Sequence, residues 1–177
     1  MNAGPNHRFF VSGRLVHNCQ YQVGWKKFQM MCAQYGRKLD DEVCKLAISK
    51  YREKRDKIVS TWAAFNNAAK EAIRNTGHVI PVGPVAFVCG KLTTAGFHAL
   101  QIKLPGGHKL TYPLAKLETV VKKFENGPAE IEEIQFWGPH PTKSFWAWQS
   151  TYGGKIMENI VQAIGGDFMT HGLLEAE

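Results

Sequence analysis

"STYGGKIMENIVQAIGGDF", residues 150 to 168, is the stretch on which the fold turns. Beyond Gly154 its apolar residues return at helical steps, so that Met157, Ile160 with Val161, Ile164 and Phe168 share one face. Lys155, Glu158, Asn159 and Gln162 line the adjoining stripe, because residues three and four apart lie on the same side of a helix. The spacing predicts a helix from Gly154 to Glu177 with Lys155, Asn159 and Gln162 as candidate binding residues; an ordinary solvated face is the alternative reading. Gly165 and Gly166 interrupt it, each costing roughly 1 kcal/mol relative to alanine in a helix interior. Either another backbone approaches closely there or the helix is locally weak.

Upstream the period falls to two. "IEEIQFWG" (131–138) reads as a strand, and "FHALQIKL" (97–104) alternates with Leu100, Ile102 and Leu104 on one face. "LPGG" puts Pro105 and Gly106 where a type II turn wants them, and "HKLTY" returns. Pro81 and Pro84 confine "VIPVGPVAFV" to an edge strand or irregular ribbon. Residues 114–126 are expected to form a short helix.

Closer to the front the pattern is helical again. Val43, Leu46 with Ala47, Tyr51, Ile58, Trp62, Phe65, Ala69 and Ile73 form a stripe, with Asp40 as N-cap and Asp41 and Glu42 in the first turn. The basic run "YREKRDK" (51–57) divides it into two helices. Tyr21, Gly24 with Trp25, Phe28, Met31 with Cys32 and Tyr35 mark an earlier helix that stops at Gly36 and has no visible beginning. Before it, "HRFFVSGRLV" (7–16) alternates about Ser12-Gly13, as two short strands and a tight turn would.

The bulk properties narrow the classes. A chain of 177 residues with 44% hydrophobic content can form a core, and a formal charge of +7 favours an acidic partner, nucleic acid being the commonest. A merely basic protein is the alternative. No apolar run approaches membrane-spanning length, and "MNAGPNHRFF" lacks the layout of a signal peptide, so no membrane partner and a cytoplasmic location are expected. Cys19, Cys32, Cys44 and Cys89 show no C-x-x-C spacing, which argues for reduced thiols rather than zinc or a redox pair. His78, His98, His108 and His140 show no ligand spacing. Trp25, Trp62, Trp137, Trp146 and Trp148 are either core residues or platforms for bases, and Lys26 and Lys27 either track phosphates or form a solvated face.

His17-Asn18-Cys19 is a reactive combination: an asparagine amide can attack its own carbonyl and cut the following bond, a histidine can assist, and a cysteine can accept an acyl group. The run "NHRFFVSGRLVHNC" (6–19) resembles the C-terminal end of an intein. That resemblance implies that Asn18 cyclises, that His17 assists it, that His7 assists the cleavage step and that Cys19 is the retained nucleophile. "MNAGP" stands where the preceding strand with its acidic residue usually lies, so splicing would need an N-terminal intein fragment, with the segment it carries, in trans.

From Cys19 to Leu174 the chain is similar to phage-type family A DNA polymerases. "CQYQVGWKKFQ" (19–29) resembles the second half of that family's fingers helix, which puts Tyr21 at the nascent base pair, with Gln22 in place of a frequent glycine. "LPGGHKLTY" resembles the phage-branch hairpin "LPSGR-x-L-x-Y", with Gly106 for serine and His108 for arginine. "TYGGKIMENIVQA" resembles a palm helix that approaches template and primer through Lys155, Asn159 and Gln162, while Gly165-Gly166 departs from the usual Ala-Arg. The resemblance implies an α+β fold with a helical fingers portion, a β-rich hairpin insertion and a palm helix. The expected segments are 1–18 intein, 19–77 fingers helices, 78–152 β-rich insertion and 153–177 palm helix. It also implies primer-template DNA and dNTP as partners, and Mg²⁺ held in the complete polymerase by carboxylates this chain lacks, with no metal bound by this chain alone. The alternatives are a stand-alone basic DNA-binding module and an inactive remnant.

Overall fold

A computed structural model describes residues 9–11, 14–16, 22–92, 96–124, 127–140 and 144–175. The architecture is mixed α+β, and the chain divides into two compact units, residues 1–62 and 63–177, with the boundary inside a helix.

In the first unit, β1 (Phe9–Val11) and β2 (Arg14–Val16) form an antiparallel hairpin with Phe9 opposite Val16, as the alternation predicts. Helix α1 (Trp25–Gln34) does not run through from Tyr21 as expected. Residues 22–24 are not helical: Gln22 has φ 63° and Gly24 is the extended N-cap. No residue of α1 is buried, so no packing enforces a further turn, and glycine is better tolerated at a cap than inside a helix. Its end is as read, with Tyr35 as C-cap and Gly36 in the left-handed region at φ 70°.

Helix α2 (Asp41–Lys54) has Asp40 at its N-cap, although that side chain makes no capping bond. Gln29 Nε2 instead donates to Leu39 O and Asp41 Oδ1, each at 2.8 Å. The basic run does break the helix, at Arg55, and α3 (Asp56–Arg74) follows. The buried positions of α2 are Cys44 and Ile48, whereas Val43 and Leu46 are exposed. The apolar stripe is broad enough to permit either phase, and packing selected the one shifted by a residue.

The second unit places the end of α3 and helix α4 (Gly153–Leu174) with two antiparallel sheets. One sheet has the order β3 (Val79–Val82), β4 (Val85–Lys91), β5 (His98–Lys103), β6 (Lys109–Pro113); the other runs β7 (Lys116–Phe124), β8 (Gly127–Pro139), β9 (Trp146–Thr151). Phe65, Ala69 and Ala72 of α3, Phe87, Leu100 and Ile102 of the first sheet, Ile134 of the second, and Ile156 and Ile160 of α4 form one core. Lys70 donates to Glu132 O at 2.8 Å and Arg74 pairs with the Glu132 carboxylate, which ties α3 to β8. The hydrogen bond from Arg74 outweighs desolvation and holds the Glu132 carboxyl below its usual range.

Several expectations fail here, each for a physical reason. Residues 116–124 are a strand, not part of a helix: Lys116 to Phe124 pair with Gln135 to Gly127, and nine paired residues override the local helical pattern. The proline-bounded ribbon is two strands, of which only β3, carrying Pro81, is at the edge. Gly83, at φ 56°, turns the chain so that β4 becomes interior. At the β5–β6 hairpin it is Gly107, at φ 87°, and not Gly106, that is left-handed. Gly107 N–H donates to Leu104 O and Leu104 N–H to His108 O, so the turn is a type I turn closed by a bulge. Strand β9 was not foreseen as an element of its own.

Candidate nucleic-acid interface

Helix α4 starts as the sequence leads one to expect. Tyr152 is its extended N-cap, and buried Gly153 and Gly154 let its first turn enter the core. Ile156 and Ile160 then seat it, with Met157, Ala163 and Ile164 packed beside them. Val161 and Phe168, expected on the apolar face, are exposed instead.

Seating this face turns the stripe of Lys155, Glu158, Asn159 and Gln162 away from the centre of the core. Lys155 and Gln162 are exposed, and Asn159 is half-buried. Asn159 Nδ2 donates to Tyr112 Oη at 2.8 Å, which anchors its amide to β6. Tyr112 is itself held, with its ring edge-on to Phe136 at 5.0 Å and 88°. Burial pushes its phenol above the usual range, and the bond to Asn159 offsets part of that rise. An asparagine amide has two N–H groups and a carbonyl, so Asn159 retains hydrogen-bonding capacity after this bond. Gln162 makes a long contact of 3.4 Å with Glu158. The stripe therefore offers an exposed cation at Lys155, a fixed amide at Asn159 and an exposed amide at Gln162 over two turns, which suits a sugar-phosphate backbone or a base edge.

Further along α4, His108 Nδ1 and Asp167 Oδ1 are 2.6 Å apart, joining the turn before β6 to the helix. Gly106 is what allows this approach, since a Cβ there would lie 2.6 Å from Asp167 Oδ2. A pocket of about 460 Å³ lies beside the pair, lined by Pro105, Ile164, Phe168, His171 and Leu174 among others. At Gly165 and Gly166 nothing lies within 4 Å of an added Cβ, so no close backbone approach accounts for them.

Of the other candidates, Lys26 and Lys27 are exposed on α1, and the Lys26 ammonium lies 5.3 Å from the Trp25 ring. His7, His17, Asn18, Cys19 and Tyr21 lie outside the described residues. Among the described residues no three His, Cys, Asp or Glu side chains are grouped to hold a metal ion, and no helix is long and apolar enough to cross a membrane. Trp62 is buried, but Trp146 and Trp148 are exposed. The alternation of Trp146 and Trp148 is the sequence signal for that surface, while the Tyr112–Asn159 and His108–Asp167 pairs carry no local signal.

With this geometry in view, the chain is similar to the DNA polymerase of Bacillus phage SP02, 28% identical over 130 residues. The match covers 73% of this chain and 18% of that polymerase's length. No protein-family profile and no solved structure matches the chain.

Proposed function

We propose that this chain is a fingers-and-palm portion of a phage-type family A DNA polymerase, and that α4 is the helix whose polar stripe lies against primer-template DNA. The observation that carries the reading is the stripe itself. Lys155, Asn159 and Gln162 share one stripe, Asn159 is fixed by Tyr112, and the adjoining face is sealed into the core through Ile156 and Ile160. The similarity to a phage DNA polymerase and the charge of +7 support the same class of partner. Lys26 and Lys27 would add phosphate contacts from the fingers portion, where Tyr21 would meet the nascent base pair.

Nucleotidyl transfer in such a polymerase uses two Mg²⁺ ions held by carboxylates. Asp40 and Asp41 of this chain start a helix and Asp167 is occupied by His108, so none is offered as a metal ligand. The role left to this chain is to bind and orient DNA and dNTP. The pattern His7, His17-Asn18-Cys19, with a hairpin across residues 9–16, supports a further part of the proposal: joining to an N-terminal fragment by intein-mediated trans-splicing.

Anisotropy of labelled primer-template DNA titrated with the purified chain tests the central reading. The Lys155→Ala/Gln162→Ala variant should bind about tenfold or more weakly and show a shallower dependence of affinity on salt. Unchanged affinity and slope would remove α4 from the interface. For the splicing part, incubation with complementary N-terminal halves should give a ligated product by mass, lost on Asn18→Ala.

A further inference from the structure

We infer that the outer face of the three-stranded sheet is a stacking platform for single-stranded nucleic acid, with Trp146, Trp148 and Tyr152 as its rungs. The inference rests on the proposed function only for the choice of nucleic acid as the polymer.

Successive residues of a strand point to opposite faces of the sheet. In β9 this turns Thr151 inward, where it is buried, and leaves Trp146, Trp148 and Ser150 outward, followed by Tyr152 at the N-cap of α4; the three aromatic residues are 55%, 46% and 42% exposed. The inner face beside β9 is the packed one, with Ile134 in the core and Leu117 and Phe136 packed against it. The outer rings are thus not core residues lacking a little cover; they stand on the opposite side of a sheet whose core side is occupied.

The central ring is also held in place. Trp148 pairs across the strands with Trp137, their rings 5.6 Å apart at 72°, and the Lys116 ammonium sits 4.5 Å from the centre of the Trp148 ring. A base stacking on Trp148 would meet a ring already oriented by its neighbours, so little freedom is lost on binding. Lys116 pairs with Glu118 and Lys122 with Glu133, so the sheet face is close to electrically balanced and stacking must supply its affinity. Positive charge enters beyond the row, at Lys155, which is exposed three residues after Tyr152 and can meet a phosphate. The row is therefore continuous with the polar stripe of α4.

The spacing selects the form of the nucleic acid. Trp146 and Trp148, neighbouring outward residues of β9, are about 6.8 Å apart because each residue rises about 3.4 Å, and Tyr152 follows beyond Ser150. Stacked bases in a duplex step by only about 3.4 Å. One base per rung requires an unstacked, single-stranded segment, and base–aromatic stacking tolerates any sequence.

Labelled oligothymidine and a blunt duplex, each titrated against the purified chain, separate the possibilities. Trp146→Ala/Trp148→Ala should weaken single-strand binding about tenfold or more, leaving duplex binding and the circular-dichroism spectrum unchanged, and Trp148→Phe should keep most of the affinity. Unchanged single-strand affinity in the double variant overturns the platform, as does failure of the native chain to bind the single strand. Self-association of the native chain that the double variant abolishes, with oligonucleotide binding intact, would assign the face to a protein and also overturn it. Duplex binding that depends on Lys155 and Gln162 but is accompanied by no effect of the tryptophans sinks the platform alone. The converse result sinks only the reading of α4.

Discussion

Ile156 and Ile160, in the first half of α4, are 0% and 3% exposed; Phe168 and Met169, in the second half, are both 72% exposed. Both halves are apolar and both are helical. The first half lies against the core formed by Leu100, Ile102, Tyr112 and Ile134. The second passes the 104–108 turn, to which the His108–Asp167 pair links it, and beyond Ile164 its apolar side chains Phe168, Met169, Leu173 and Leu174 stay exposed. What a helical residue contributes to stability depends on what stands opposite it, which its own periodicity does not record.

The contrast can be broken most directly by deleting side chains in each half. Ile156→Ala removes a fully buried side chain and should cost about 2–5 kcal/mol in urea unfolding. Phe168→Ala, at the other extreme of exposure, should change stability by less than about 0.5 kcal/mol. Equal effects would mean that the two halves are not packed differently.

Asn159→Ala tests the hinge between the seated face and the polar stripe. It leaves the buried Tyr112 hydroxyl without its partner and should cost about 1–3 kcal/mol. The same tyrosine gives the comparison a pH signature. Its folded pKa is raised, so the folded chain holds the proton after the unfolded chain has begun to lose it. Stability is therefore fully present below the ordinary tyrosine pKa of about 10 and falls as pH rises through the raised folded value. Tyr112→Phe should flatten that part of the alkaline stability profile.

A smaller effect of opposite sign is expected where α4 leaves the core. Gly165→Ala and Gly166→Ala introduce methyl groups into open space within a helix, and each should stabilise the chain by about 0.5–1 kcal/mol in the same unfolding measurement. A loss of stability at either site would reveal a close approach.

Much of the framework was legible in the sequence. The helix from residue 153 onward, the break at the basic run, the stop at Gly36 and the alternation of residues 98–104 all rest on local rules of periodicity and turn chemistry. The candidate stripe of α4 was legible for the same reason, since helical spacing alone assigns residues to a face. The failures share a cause as well. Residues 116–124 became a strand through pairing with 127–135, and the buried phase of α2 passed to Cys44 and Ile48 through packing. Those are non-local contacts, and no window of sequence contains both partners.

By itself, then, the sequence determined where helices and turns could form, which faces were apolar, and that the chain carries positive charge suited to an acidic partner. Tertiary structure alone decided that Asn159 would meet Tyr112, that Asp167 would meet His108, and that Trp146 and Trp148 would stand outward on a sheet whose other face carries Ile134 into the core. The physical reason is that a side chain's periodicity is a property of its own segment, whereas its burial, its partner and its pKa belong to whatever segment the fold brings opposite.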